Sequence, residues 1–375
     1  MSHPMRKKRF IAILLLTMAV LAFAGTSYAN TDHVQETPSM RARVLAVEER
    51  LGEELFFAVQ RVTLEITTGP HRDLVVEVEN HLSDNPVYDV PVKPGDRVLV
   101  IKEVLPDGGM EFHIVDYVRD TWLLVMVAAF VFLLLLIGRM KGLKTILTLS
   151  LTLVMIVRVL LPGLLKGYPP VLLTLAVSVF ITLVSILLIN GPNVKSFSAI
   201  IGILGGLFTA GIVVFLIGGQ IRLTGLSSEE AVMLMFIPQE VAFDFRDLLF
   251  AGIMMGALGA VMDVGMSIAS AMYEIRHLNP EVTYRQLVRS GMNVGRDIMT
   301  TMSNTLILAY TGAAMPLLLL FMAYDASLVE IINMDMIATE IVRALSGSIG
   351  LVMTIPLTVV ASAFLLVHTS GEKQH

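Results

Sequence analysis

From residue 121 the chain reads Thr121-Trp-Leu-Leu-Val-Met-Val-Ala-Ala-Phe-Val-Phe-Leu-Leu-Leu-Leu-Ile-Gly138, a run with no charged side chain. As a helix rising about 1.5 Å per residue, it nearly matches the roughly 30 Å of hydrocarbon in a bilayer. This run sets the fold class, because everything downstream repeats it. Further apolar stretches occupy 143–162, 169–189, 196–218, 248–272, 300–323 and 346–368. Counted with 121–138, they predict seven transmembrane helices. Trp122, the single tryptophan, falls where the first span meets an interface, the level that amphipathic rings favour. Pro169-Pro170 opens the third span at positions a helix tolerates, whereas Pro316 and Pro356 fall inside spans and predict kinks.

Composition agrees. Of 375 residues, 55% are hydrophobic and 16% charged, against about 25% charged in a soluble domain. Mean hydropathy is +0.75. The chain has no Cys, which excludes disulfides, thiol chemistry and cysteine metal sites. The net charge of −5 is unevenly spread. Residues 31–120 hold 18 acidic against 9 basic side chains, so the remainder is net basic. An acidic soluble part is a poor match to nucleic acid, which is therefore not an expected partner.

Upstream, Arg6-Lys7-Lys8-Arg9, an apolar run from Phe10 to Ala24 and Ser27-Tyr28-Ala29 describe a signal peptide or uncleaved signal anchor over 1–29. Either places the following residues outside the cytoplasm. Residues 30–120 then form a separate domain, of which 40–118 are polar with two-residue periodicity. Candidate strands are Arg41–Glu49, Arg61–Thr67, Leu74–Asn80, Asp96–Val104 and Glu111–Val118. Turn residues part them at Gly69-Pro70, Asp84-Asn85-Pro86, Pro94-Gly95-Asp96 and Asp107-Gly108-Gly109. Five short strands predict a small all-β domain of OB- or SH3-like type. The expected architecture is a polytopic α-helical membrane protein with an N-terminal extracytoplasmic β-domain, a seven-helix domain over 121–369 and a cytoplasmic tail over 370–375.

Loop charges give the orientation. With the β-domain outside, inward connections carry Arg139, Lys141, Lys144, Lys195, Arg276, Arg285, Arg289 and Arg296. Outward ones carry Glu229, Glu230, Glu240, Asp244, Asp247, Asp325, Glu330, Asp335 and Glu340. This is the positive-inside pattern, and it predicts a cytoplasmic C-terminus. Thr283-x-x-Gln286 starts an amphipathic helix over 284–298, expected to lie on the cytoplasmic surface. Ser227-x-x-Glu230 opens a shorter one outside, ended by Pro238.

Asp263 is the most informative single residue. It falls mid-span within Gly252-Ile-Met-Met-Gly256-Ala-Leu-Gly259-Ala-Val-Met-Asp263-Val-Gly-Met-Ser267. A carboxylate at that depth costs several kcal/mol unless paired, protonated or wetted. It marks either an ion or proton path or a structural bond to a neighbouring helix. Ser267 and Ser270 follow on the same span, while Asp297, Ser303, Asn304 and Thr305 lie at the start of the sixth. Together they predict a polar seam between spans five and six, or plain interhelical hydrogen bonding. Arg158, Arg343 and Glu340 are candidate charge partners near the outer surface. Gly202-x-x-x-Gly206 and Gly252-x-x-x-Gly256 read first as packing motifs.

Enzyme motifs are missing. The sequence has no His-Glu-x-x-His, no Gly-x-Ser-Gly with a mid-membrane histidine and no phosphate loop between strand and helix. No catalytic role, cofactor or metal is expected.

Three strings carry a family resemblance: Gly256 to Ser270, Ser290 to Tyr310, and Glu340-Ile-Val-Arg343-Ala-Leu-Ser346-Gly-Ser-Ile-Gly350. They resemble the YibE/F-like family of bacterial multi-pass membrane proteins. The resemblance covers about Thr121 to His368 and implies a location in the bacterial plasma membrane, with no residue roles to carry over. The functional expectation is a transporter or channel-like permease that uses Asp263. Its rival is a non-transporting scaffold or sensor whose β-domain binds a surface partner. Expected partners are the lipid bilayer and either a second copy or a companion membrane subunit. The substrate is not specified by the sequence.

Overall fold

The computed structural model describes residues 39–51, 58–83, 85, 87–104, 109–237, 243–324 and 327–368. The expected leader over 1–29 and the tail over 370–375 lie outside the described residues, as do Pro238, Glu240, Asp325 and the turn residues Asp84, Pro86, Asp107 and Gly108. Two compact units meet between Gly138 and Arg139, and each is described on its own.

The first unit holds five strands: β1 (Met40–Leu51), β2 (Ala58–Ile66), β3 (Val75–Leu82), β4 (Arg97–Val104) and β5 (Met110–Tyr117). All five expected strands form, with ends shifted by at most three residues. Pairing is antiparallel throughout, in the order β3-β2-β1-β4-β5. The edge strands β3 and β5 also approach one another, which curls the sheet into a barrel of OB-like order. β1 makes this possible: residues 40–43 pair with β4 and 42–51 with β2, and a register shift between Val44 and Ala46 bends the strand. Along β2 every second residue is buried, from Ala58 to Ile66. Of these, Val62, Leu64 and Ile66 join Met40, Val44, Val98 and Val100 in one core. Gln60 is the polar exception, 6% exposed. Its Oε1 accepts from Val92 N at 3.0 Å and from Asn80 Nδ2 at 3.2 Å, pinning the segment before β4 beneath β2.

Helices follow. α1 (Asp120–Met155) leaves helical geometry at Arg139 (φ 47, ψ −123) and passes through a π-helical stretch at Ile156–Leu160 into α2 (Leu161–Leu165). Next come α3 (Pro170–Asn190), α4 (Val194–Gln220), the short α5 (Glu229–Met233), α6 (Phe245–Leu278) and α7 (Tyr284–Ala313). α8 (Met315–Ala323), α9 (Leu328–Asn333) and α10 (Asp335–His368) complete the chain. Helix starts follow capping chemistry. Asn193 accepts from Ser196 N at 2.9 Å, and Thr283 and Gln286 form a reciprocal box.

Five helical runs among the described residues have the length and apolarity to cross a membrane, six when α7 and α8 count as one bent span. The expected count of seven differs in one place. The run Asp120–Leu165 is 46 residues long and holds both of the first two expected spans, parted only at Arg139. A second difference concerns residues 284–298. The expected surface helix is continuous with the first part of the sixth span, because nothing between Tyr284 and Ala313 breaks a helix. Pro316 follows a 59° bend, whereas Pro356 lies within an uninterrupted α10.

α4, α6 and α10 form the centre of the helical unit. A Cβ built on Gly202 or Gly206 of α4 would overlap Thr358 or Thr354 of α10. Gly265 of α6 meets Ile203 of α4, Gly291 of α7 meets Met272 of α6, and Gly295 of α7 meets Ile355 of α10, with Ile268 of α6 at 3.7 Å from its Cβ position. Small residues here replace hydrophobic driving force by close backbone approach.

Candidate functional site

α6 has two faces of opposite character. Val261, Val264, Ile268 and Met272 are buried against neighbouring helices. On the other side, Gly252, Gly256, Gly259, Asp263 and Ser267 are all exposed, at the spacing that aligns them on one stripe. A Cβ at Gly252 or Gly259 would meet nothing within 4 Å. The two expected packing motifs thus separate: Gly202/Gly206 is a tight backbone interface, whereas in Gly252/Gly256 only Gly256 has a neighbour, the Tyr310 hydroxyl 3.2 Å from its Cβ position.

Asp263 stands midway along this stripe. It makes no ion pair or hydrogen bond among the described residues, so neither Arg158 nor Arg343 serves as its counter-charge. Arg158 is exposed within the π-helical stretch. Arg343 donates to Glu340 at 2.6 Å, three residues earlier on the same helix, so this pair joins no two helices.

α7 runs antiparallel to α6, since Gly291 faces Met272, Gly295 faces Ile268, and the Tyr310 hydroxyl lies 3.2 Å from the Cβ position of Gly256. Tyr310 is also within electrostatic reach of Glu340 and Arg343. Ser303 precedes Tyr310 by two turns, and Asp263 follows Gly256 by two turns. The register therefore brings Ser303 to the height of Asp263. The Ser303 hydroxyl is enclosed and has no hydrogen-bond partner among the described residues.

The other expected site residues are placed differently. Ser267 is exposed and Ser270 half-buried on α6, while Asp297, Asn304 and Thr305 point away from the packed face of α7. The Thr305 hydroxyl donates to the Thr301 carbonyl at 2.9 Å, satisfying its own helix. Between α6 and α7 the packed contact is apolar and glycine-rich, and the polar residues border it.

Sequence reasoning missed a second polar feature. Thr174, Ser178, Thr182 and Ser185 of α3 are 0–3% exposed, and the hydroxyls of Thr174 and Ser178 have no partner among the described residues. Their spacing of four, four and three was the available signal. Hydroxyls cost little in a span and draw less notice than a carboxylate.

Among the described residues no cluster of His, Asp or Glu could hold a metal ion. What the arrangement offers chemically is a carboxylate, a hydroxyl and a narrow glycine-backed surface at mid-helix.

The family comparisons cover both units. The model described as YibE/F-like protein matches residues 126–368, and that described as YibE/F family N-terminal domain matches residues 46–117. No curated protein and no solved structure matches the chain. With the larger model alone spanning more than half of the sequence, the chain belongs to the YibE/F-like family.

Proposed function

We propose that this chain is a transporter or channel-like permease in which Asp263 is an ion- or proton-responsive carboxylate. One observation carries the reading: Asp263 has no partner among the described residues and lies on an outward, glycine-backed stripe of an apolar helix. In hydrocarbon such a group is stable only if protonated, wetted or bound to a cation. The path would run along this stripe beside α7, with Ser303 and Asn304 next to it. Glycines at 252 and 259 leave room there for water or a small solute.

The protein would sit in the bacterial plasma membrane, with a cleaved or anchoring signal segment, its β-domain outside and its C-terminus in the cytoplasm. The basic inward and acidic outward connections support that orientation. The chain would be non-catalytic and work as a homo-oligomer or with a companion membrane subunit.

Purified protein in liposomes, tested for proton and cation flux beside Asp263→Asn, checks the reading. Flux that is lost in Asp263→Asn while the melting temperature is kept or raised would support it. Equal flux in both proteins would remove Asp263 from the path, and no flux in either would favour a non-transporting scaffold whose β-domain binds a surface partner.

A further inference from the structure

The β-domain as a whole is acidic, yet one groove on it gathers arginines. It has a volume of about 430 Å³, and Arg41, Arg43, Arg72 and Arg97 line it together with the carboxylates of Glu65 and Asp73. Two of the arginines are neutralised locally: Arg41 pairs with Asp120, and Arg72 with Asp73 at 3.6 Å. Arg43 and Arg97 take part in no ion pair among the described residues. Strand register sets them directly opposite one another on β1 and β4, with Glu65 opposite Arg43 on β2.

Like charges facing each other across a strand pair weaken a sheet. Both side chains are exposed, so neither is held there by packing. A pair of forked guanidiniums on adjacent strands is, however, well spaced to grip one phosphate group from two sides.

The groove's position narrows the ligand further. Thr121 lines it, and a neighbouring groove of about 470 Å³ shares Arg97 and Thr121 and is walled by Trp122. These two residues form the first turn of the apolar helix α1, where a membrane interface begins. Below them α1 exposes an apolar flank that includes Leu124, Met126 and Phe132.

We propose that Arg43 and Arg97 bind the phosphodiester headgroup of an anionic phospholipid, whose acyl chains lie along α1. The site needs no particular orientation of the protein, only anionic lipid in the leaflet where α1 starts. It is also independent of any role for Asp263.

The test uses the full chain in phosphatidylcholine nanodiscs with and without phosphatidylglycerol. Inorganic phosphate added to the phosphatidylcholine discs forms a separate arm. Trp122 is the only tryptophan, so intrinsic fluorescence reports the groove, and mass spectrometry counts retained phosphatidylglycerol. Phosphatidylglycerol should shift Trp122 emission in the wild type. The double variant Arg43→Gln/Arg97→Gln should need about 30-fold more of it for half the shift. Arg50→Gln/Arg61→Gln, which removes the same charge elsewhere on the domain, should respond like the wild type. Equal responses in the two double variants would overturn the proposal. So would a full shift with inorganic phosphate to which phosphatidylglycerol adds nothing. If the glutamine double variant melts early, Arg97→Lys carries the test. It keeps the charge and loses the fork, and should weaken the lipid response without lowering the melting temperature.

Discussion

Gly206 of α4 lies against Thr354 of α10 so closely that a Cβ at position 206 would overlap the threonine hydroxyl. The carbonyl oxygen of Gly350 is only 2.7 Å from the same point. One turn away, Gly202 stands in the same relation to Thr358, whose Cα would be 2.7 Å from the added carbon. A side chain can rotate aside, but a backbone carbonyl cannot. The α4–α10 contact is therefore fixed by backbone approach, and these glycines are its condition. Gly252 and Gly259 of α6 share the composition and have no such neighbour.

Substitution separates the two classes. Gly206→Ala should force α4 and α10 apart and cost about 1–3 kcal/mol. Thr354→Ala should not restore it, because the Gly350 oxygen remains. Gly259→Ala should be neutral or stabilising by up to about 1 kcal/mol, the helix-propensity difference. Thermal unfolding of detergent-purified variants measures both. A stability loss at Gly259→Ala would mean that another helix covers the stripe.

Much of this fold was legible in the sequence because burial writes a period into it. Alternation along Arg61–Thr67 and Asp96–Val104 locates β2 and β4, and apolar length locates α3, α4, α6 and α10. What remained hidden depends on who faces whom. Gly-x-x-x-Gly at 202 and at 252 looks alike on paper, yet one packs along a threonine helix, while of the other Gly256 meets only the Tyr310 hydroxyl and Gly252 nothing among the described residues. Likewise, Asp263 was conspicuous as a charge in an apolar run, but its lack of a partner is a property of the assembled helices. The Arg43–Arg97 juxtaposition is set by strand register across fifty-four residues of sequence, which no local pattern reveals.

Gln60 offers a test of the β-domain. Replacing it with Leu would leave the Val92 amide without its acceptor in a buried place, whereas the Asn80 side chain keeps its bond to the Val90 carbonyl. An unsatisfied buried group costs about 1–3 kcal/mol, so Gln60→Leu should destabilise the domain by about that much. Hydrogen exchange should show the Val92 amide becoming labile first.

Tyr117 predicts an alkaline limit. Burial, reinforced by the negative charge of Asp96, raises its hydroxyl above the ordinary tyrosine range, and that hydroxyl donates to the Pro91 carbonyl. The folded state thus holds the proton more tightly than the unfolded state does. Its contribution is complete below about pH 10, the unfolded value, and is lost as pH rises through the raised folded value. Tyr117→Phe should be less stable at neutral pH and lose the alkaline component of unfolding, followed by tyrosinate absorbance and circular dichroism together.

Asp263 should reveal its purpose through stability. A carboxylate kept for structure is bonded to a neighbour, and its removal weakens the protein. Asp263 has no such bond among the described residues and lies on the exposed side of α6. Its presence there is a cost of about 2.5–3.5 kcal/mol on insertion scales. Asp263→Leu should therefore raise the unfolding temperature in lipid while abolishing any flux that depends on the carboxylate. Asp263→Asn should fall between, being polar but never charged. A lower unfolding temperature in Asp263→Leu would show that a partner helix bonds the carboxylate in the membrane, and would assign Asp263 to assembly rather than to a path.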